Sequence, residues 1–180
     1  MKIGIDIDGV IADFVGSFLP KLNKICDCKF HEIVSHDFKN NVSVDETAYK
    51  RLWKEEVGKC KIYEALLPIK GAKEGLAYIA DNHEIKIISS RGENSRQITE
   101  NWLNKNNIPF SSLELVQNKR QKVLLMMNCD LIIEDELEIA RMLDSLGKQV
   151  ILFEYPWTKE CEKTKRVKNW DEVMKLIDKF

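Results

Sequence analysis

Short apolar runs alternate with longer helical stretches along this chain. Residues 2–8, KIGIDID, set Ile3, Ile5 and Ile7 among β-favouring neighbours and stop at Gly9. That is the pattern of a strand running into a turn, and it puts Asp6 and Asp8 on one face. Four more apolar runs follow: EIKIIS (84–89), LELV (113–116), DLIIE (130–134) and QVILF (149–153). Between them, residues 95–107, 119–128 and 136–146 carry helical spacing. Strand and helix in repeated alternation predict an α/β protein with a parallel sheet. Ser95 can cap the helix over 95–107, and Gly147 stands where the helix over 136–146 should stop.

The interval from Asp8 to Ser89 is too long for one crossover, which needs a dozen or so residues where this one spans about 80. Something is inserted after the first strand. Val15, Phe18, Leu19, Leu22, Ile25 and Cys26 recur at helical spacing, and Pro20 fits if that helix begins near Ser17. Tyr49, Leu52, Trp53 and Val57 form a second stripe. Residues 15–68 therefore read as a small helical cap over the C-terminal edge of the sheet. Residues 1–14 and 69–180 form the main domain, re-entered through PIKGAKEGL (68–76). Most aromatics of the cap are expected to pack against one another.

Composition narrows the function. The chain has 180 residues, 44% hydrophobic and 32% charged, enough for one ordinary core with a small appendage. Lys and Arg number 28 against 29 Asp and Glu, so no overall positive field favours a nucleic-acid polymer or an anionic membrane. The basic run KECEKTKRVK (159–168) lacks interleaved aromatics and reads as a solvated loop. No apolar run approaches the roughly 18 residues of a membrane span. Five cysteines without a CxxC pair point to reduced thiols in a cytoplasm rather than to a disulfide or zinc framework. His31, His36 and His83 share no metal-ligand spacing and receive no role.

Ligands of open parallel sheets bind beyond the carboxyl ends of the strands. There the sequence puts Asp6 and Asp8 after the first strand, Ser89, Ser90 and Arg91 after the second, Lys119 after the third, and Glu134 and Asp135 after the fourth. Clustered carboxylates repel one another unless a cation joins them, and an all-oxygen set favours Mg2+. With a lysine and a strand-end hydroxyl added, the set fits phosphoryl transfer, in which one aspartate attacks phosphorus and a second serves as general acid. Arg91 could clamp a phosphate or pair with the neighbouring acids.

These residues carry a resemblance. DIDGVIADF (6–14), followed in order by IISSR, a lysine and IIEDE, resembles the haloacid dehalogenase superfamily, whose fold is a three-layer Rossmann-like parallel sheet. ADF after DGV, the short helical insertion, and FEYPWT (153–158) ahead of RVKNWDEV (166–173) resemble the 5'-nucleotidase type C group, which includes the 5'(3')-deoxyribonucleotidases. The resemblance implies Asp6 as nucleophile and Asp8 as acid and base. It implies Mg2+ held by Asp6, by the Asp8 backbone carbonyl and by Asp135, with Glu134 acting through water. It also implies Ser89, Ser90 and Arg91 near the phosphate and Phe14 facing the substrate. In QNKRQK, Lys119 lies just before the predicted helix and Lys122 one turn into it. Lys119 is the preferred catalytic lysine, with Lys122 the alternative. The tail has Thr158 where an asparagine is expected.

The implied substrate is a small nucleotide, with a sugar phosphate or other small phosphomonoester the nearest alternative. A receiver-type signalling domain would place its phosphoacceptor on a middle strand, where this chain has Ser89 and Ser90, and would lack the insertion. Monomer and homodimer fit the sequence equally.

Overall fold

The computed structural model describes residues 1–35, 38–41, 43–159 and 164–180; His36 and Cys161 lie outside them. Its centre is a six-stranded sheet in the order β3-β2-β1-β4-β5-β6, with every neighbouring pair parallel. The strands are β1 (Lys2–Ile5), β2 (Glu84–Ser89), β3 (Ser112–Leu115), β4 (Leu131–Glu134), β5 (Gln149–Phe153) and β6 (Lys165–Val167). The main-domain helices are α4 (Ala72–Ala80), α5 (Arg96–Lys105), α6 (Lys119–Met126), α7 (Leu137–Ser145) and α8 (Trp170–Ile177). Before them come α1 (Phe14–Leu22), α2 (Glu46–Trp53) and α3 (Lys61–Ala65), all between the first two strands.

The strands are apolar on both faces, as a sheet covered on both sides requires. Ile3 and Ile5 pack with Ile85, Ile87, Leu131 and Ile133 under Leu76, Trp102 and Trp170. Ile88, Ile132, Val150 and Leu152 point the other way, toward Val123, Met126, Ile139 and Leu143. Two buried clusters separated by one sheet make three layers. From β1 the chain moves outward to β2 and β3, then returns past β1 to start β4. The crevice between the ends of β1 and β4 is thus the point where the strand order reverses, the place where such sheets bind ligands.

Three local expectations are corrected. The first strand ends at Ile5, so Asp6 and Asp8 stand beyond it rather than on one of its faces. α1 starts at Phe14, not near Ser17, and Pro20 lies inside it. Asp13 caps that earlier start by accepting from the Gly16 amide at 2.8 Å, and a Cβ on residue 16 would meet the same carboxylate at 2.1 Å. The helix ends at Leu22, leaving Ile25 and Cys26 past its end. Finally, Lys165–Val167, read as part of a solvated basic loop, is the edge strand β6, with Val167 buried beside Phe153.

The segment between β1 and β2 is rooted on a short two-stranded stem. The Asp13 amide donates to Leu67 O at 2.9 Å and the Ile69 amide to Ile11 O at 2.8 Å. Beyond the stem, Phe14, Phe18, Phe38, Tyr49 and Trp53 pack ring against ring, with centroids 5.3–6.5 Å apart. Cys26, Cys28, Cys60 and Cys129 are free thiols. Among the described residues, no helix is long and apolar enough to cross a membrane.

Candidate active site

The loop leaving β1 positions two aspartates. Asp6 is still held like a strand residue, its amide donating to Ile133 O at 3.1 Å, and its side chain is buried. The chain then turns at Gly9, whose φ of 83° favours glycine. A Cβ on residue 9 would lie 2.0 Å from Asp135 Oδ2, so the two acidic loops interlock at this point. Across the crevice, β4 delivers Glu134 and Asp135, both buried. One oxygen of Glu134 accepts from the amides of Asp135 and Glu136 at 2.7 and 3.1 Å, which fixes the loop after β4.

Lys122 completes this cluster. Its ammonium lies 2.8 Å from Asp6 Oδ1 and 2.5 Å from Glu134 Oε1, and its side chain is 3% exposed. Lys119, the preferred candidate, is 44% exposed and turns outward to ion pairs with Glu136 and Glu138. The reason is α6: Asn118 caps it by accepting from the Gln121 amide at 3.0 Å, so Lys119 begins the helix at its outer end and Lys122 lies a turn deeper, beside Asp6.

Burial pushes the Asp6 carboxyl up to about 7; Lys122 pulls it down, while Glu134 and Asp8 push it further up. Burial, with Glu134 and Asp6 nearby, raises the Asp135 carboxyl well above the usual carboxylate range. Burial by itself would lower the Lys122 ammonium, yet Asp6 and Glu134 hold it above its ordinary value. Carboxylate oxygens of Asp6, Glu134 and Asp135 lie within 4.8 Å of one another. Three buried acids with one lysine between them form a hard, oxygen-only donor set carrying excess negative charge, and this suits a divalent cation such as Mg2+.

Asp8 faces elsewhere. Arg91 grips both its oxygens, Nε at 2.8 Å and one terminal nitrogen at 2.7 Å. The guanidinium is buried, with the ring of Tyr63 4.2 Å away and the Thr99 hydroxyl accepting at 3.4 Å. Of the two readings open for Arg91, pairing with an acid is the one seen.

In front of these groups lies a cavity of about 190 Å³. Asp6, Asp8, Lys122, Asp135, Ser89, Ser90 and Arg91 line it, together with Phe14. Val15, Phe38, Trp53, Val57, Tyr63 and Glu136 line it as well, six residues that the sequence did not single out for the site. Trp53 and Val57 belong to a helical stripe that looked like packing, and Trp53 does pack on Phe14 and Phe18. One ring serves both roles, so periodicity gave no sign of the second. Neither His31 nor His83 lines the cavity.

The architecture matches haloacid dehalogenase-like proteins. One such hydrolase from Streptococcus pneumoniae superposes with a TM-score of 0.66 at 13% identity, over 98% of this chain and 97% of its own. A candidate HAD-hydrolase from Bacillus subtilis, solved bound to magnesium, gives 0.66 at 13% identity over 98% of both chains. The chain, with its parallel sheet and reversal crevice, thus shares the haloacid dehalogenase-like fold. All of residues 1–180 match the family described as 5' nucleotidase, deoxy (pyrimidine), cytosolic type C protein, and the chain belongs to that family. A nucleotidase of Clostridium acetobutylicum is 26% identical over 194 residues, covering 100% of this chain and 95% of its own length. A 5'(3')-deoxyribonucleotidase of Bacillus subtilis is 24% identical over 181 residues, 97% of each chain.

Proposed function

We propose that this protein is a magnesium-dependent phosphomonoesterase that hydrolyses nucleoside monophosphates, ribo or deoxy, through an aspartyl-phosphate on Asp6. The observation that carries this reading is Asp6 itself, held 2.8 Å from the Lys122 ammonium in a cavity also lined by the rings of Phe14, Phe38, Trp53 and Tyr63. A phosphate beside Asp6 would leave the nucleoside to these rings, whose flat apolar faces suit a base.

Asp6 attacks phosphorus with a carboxylate oxygen, a P–O bond forms to the enzyme, and the bond to the ester oxygen breaks. Asp8 donates the proton that makes the leaving group an alcohol. It then takes a proton from the water that attacks the phosphoryl-enzyme, releasing inorganic phosphate and restoring Asp6. Arg91 takes one lone pair on each Asp8 oxygen and Asp8 lines the cavity, so a lone pair on either oxygen would remain for the proton it transfers. Lys122 would steady the charge on Asp6, and the Ser89 hydroxyl, at the end of β2, would bind a non-bridging oxygen. Asp6, Asp135 and the Asp8 backbone carbonyl would hold Mg2+, with Glu134 behind them; the ion offsets negative charge on the transferring phosphoryl group.

The test is phosphate release with Mg2+ across nucleoside monophosphates, sugar phosphates and a chromogenic phosphate ester, with Asp6→Asn as control. Selective hydrolysis of nucleotides is expected. Hydrolysis of the ester or of sugar phosphates alone would keep the role of Asp6 and replace the substrate.

A further inference from the structure

Three aromatic residues of the C-terminal segment each aim their one polar hydrogen at the loops that carry the acids. Tyr155 donates its hydroxyl to Gly9 O, Trp157 its indole N–H to Asp135 O, and Trp170 its indole N–H to Val10 O, each at 2.9 Å. Both tryptophans are buried, Trp170 completely. An indole is a donor only, so its burial demands an acceptor, and here the acceptors lie within two residues of Asp8 or belong to Asp135 itself. These loops have left the sheet: β1 ends at Ile5 and β4 at Glu134.

The donors are held as a unit. Tyr155 stacks on Trp157 with centroids 4.4 Å apart and planes within 10°. Thr158, fully buried, ties the turn beneath them: its Oγ1 accepts from the Tyr155 amide at 2.8 Å and donates to Phe153 O at 2.9 Å. On the other side, Gly9 lies so close to Asp135 that a Cβ there would meet its Oδ2 at 2.0 Å.

We propose that Tyr155, Trp157 and Trp170 are positioning residues for the acidic cluster: they fix the backbone that presents the Asp8 carbonyl and the Asp135 carboxylate, and so set the affinity for a divalent cation. Partners behind a metal's ligands orient those ligands, and losing them typically weakens metal binding by about 10–100-fold. The proposal rests on the reading of Asp6, Glu134 and Asp135 as a cation site and is independent of the substrate.

The experiment is calorimetric titration of the purified protein with Mg2+, comparing wild type, Tyr155→Phe, Trp157→Phe and Trp102→Phe. Tyr155→Phe keeps its stacked ring and loses one donor, and Trp157→Phe loses the indole N–H with a smaller aromatic ring left in its place. Trp102→Phe is the control, since Trp102 is also buried and donates at 2.8 Å to Leu66 O rather than to an acidic loop, while its ring lies 6.0 Å from the Arg91 guanidinium, so it also reports what a loosened neighbour of Asp8 costs. About tenfold weaker Mg2+ binding is expected in Tyr155→Phe and Trp157→Phe, and a change within about twofold in Trp102→Phe. Phosphate release by the two tail variants should return toward the wild-type rate as Mg2+ is raised, a rescue that general destabilisation does not give. Unchanged affinity in both tail variants, or an equal loss in Trp102→Phe, overturns the proposal. Should Trp157→Phe fail to fold, Tyr155→Phe decides, because its ring stays in place. Wild type that binds no Mg2+ removes the cation site and this proposal together. Wild type that binds Mg2+ yet hydrolyses no nucleotide removes only the substrate reading, and the variant series still decides this one.

Discussion

The edge of the sheet and the segment inserted after β1 face each other across one cavity and are built by different rules. At the edge, polar groups are fixed by directional contacts. Lys122 meets Asp6 and Glu134, Glu134 holds two backbone amides, and Arg91 grips both oxygens of Asp8. The insertion is held by its stem, by Trp102 donating to Leu66 O, by Tyr63 beneath Arg91, by the Lys21–Glu56 ion pair at 2.8 Å, and by its packed aromatic rings. Its helices are short, one turn at Lys54–Gly58 has π-helical pairing, and Cys60 adopts a φ of 58°. Ring pairs of this kind add about 0.5–1.5 kcal/mol each, whereas the charge-assisted hydrogen bonds at the edge are stronger and more closely fixed in length and angle. Under the proposed function the difference separates two tasks: the edge would supply chemistry at phosphorus, and the insertion would supply a surface for the rest of the substrate.

The largest effect expected is at the edge. Asp6→Asn should lower phosphate release by at least about a thousandfold while leaving the circular dichroism spectrum unchanged. A surviving rate would move the nucleophile elsewhere and erase the contrast. Lys122→Ala leaves two buried carboxylates without their cation, which should destabilise the fold by about 3–5 kcal/mol and slow turnover about a hundredfold. Lys119→Ala removes a half-exposed lysine from the exposed Glu138 and the mostly buried Glu136 and should cost about 1 kcal/mol, measured by urea denaturation.

On the insertion side, Trp53→Ala should raise KM for nucleoside monophosphates about tenfold and leave kcat nearly unchanged. An equal fall in kcat would place Trp53 in the chemical step and blur the division. The smallest effect concerns stability. The Asp135 carboxyl is raised well above its ordinary range by burial and by Glu134 and Asp6, so its proton favours the folded state. The stability associated with that proton is present below the unfolded value and is lost as pH rises toward the folded one. Asp135→Asn removes the burden, so the metal-free variant should melt about 2–4 °C above wild type, more at pH 8 than at pH 5. Mg2+ should then no longer raise its melting temperature.

Much of this was legible in the linear pattern. β2 and β5 occupy the residues their apolar runs marked, and α5, α6 and α7 fall within one or two residues of the predicted spans. β6 was hidden because three residues in a basic run give too little alternation to read, and its pairing with β5 supplies the reason it forms. Of the site, Asp6, Asp8, Ser89, Ser90, Arg91, Asp135 and Phe14 line the cavity as their positions at the strand ends and after the first loop suggested. Glu134 lies just behind, beside Lys122.

The sequence by itself determined which strand ends carry polar groups, because period and punctuation are local properties that each segment expresses alone. Only the tertiary structure set Lys122, rather than Lys119, beside Asp6. They are three residues apart on one helix, about 4.5 Å in rise, and the choice depends on the depth at which α6 packs beside β2 and α7. Only the tertiary structure gave Arg91 to Asp8, since both partners of an ion pair separated by 83 residues must be brought together before either orientation has meaning. The same holds for Trp53 and for the donors at Tyr155, Trp157 and Trp170. An aromatic ring satisfies helical spacing or fills a core in the same way whether or not its edge faces a cavity or its single hydrogen meets a loop carbonyl, and that direction is set by elements far away in the chain.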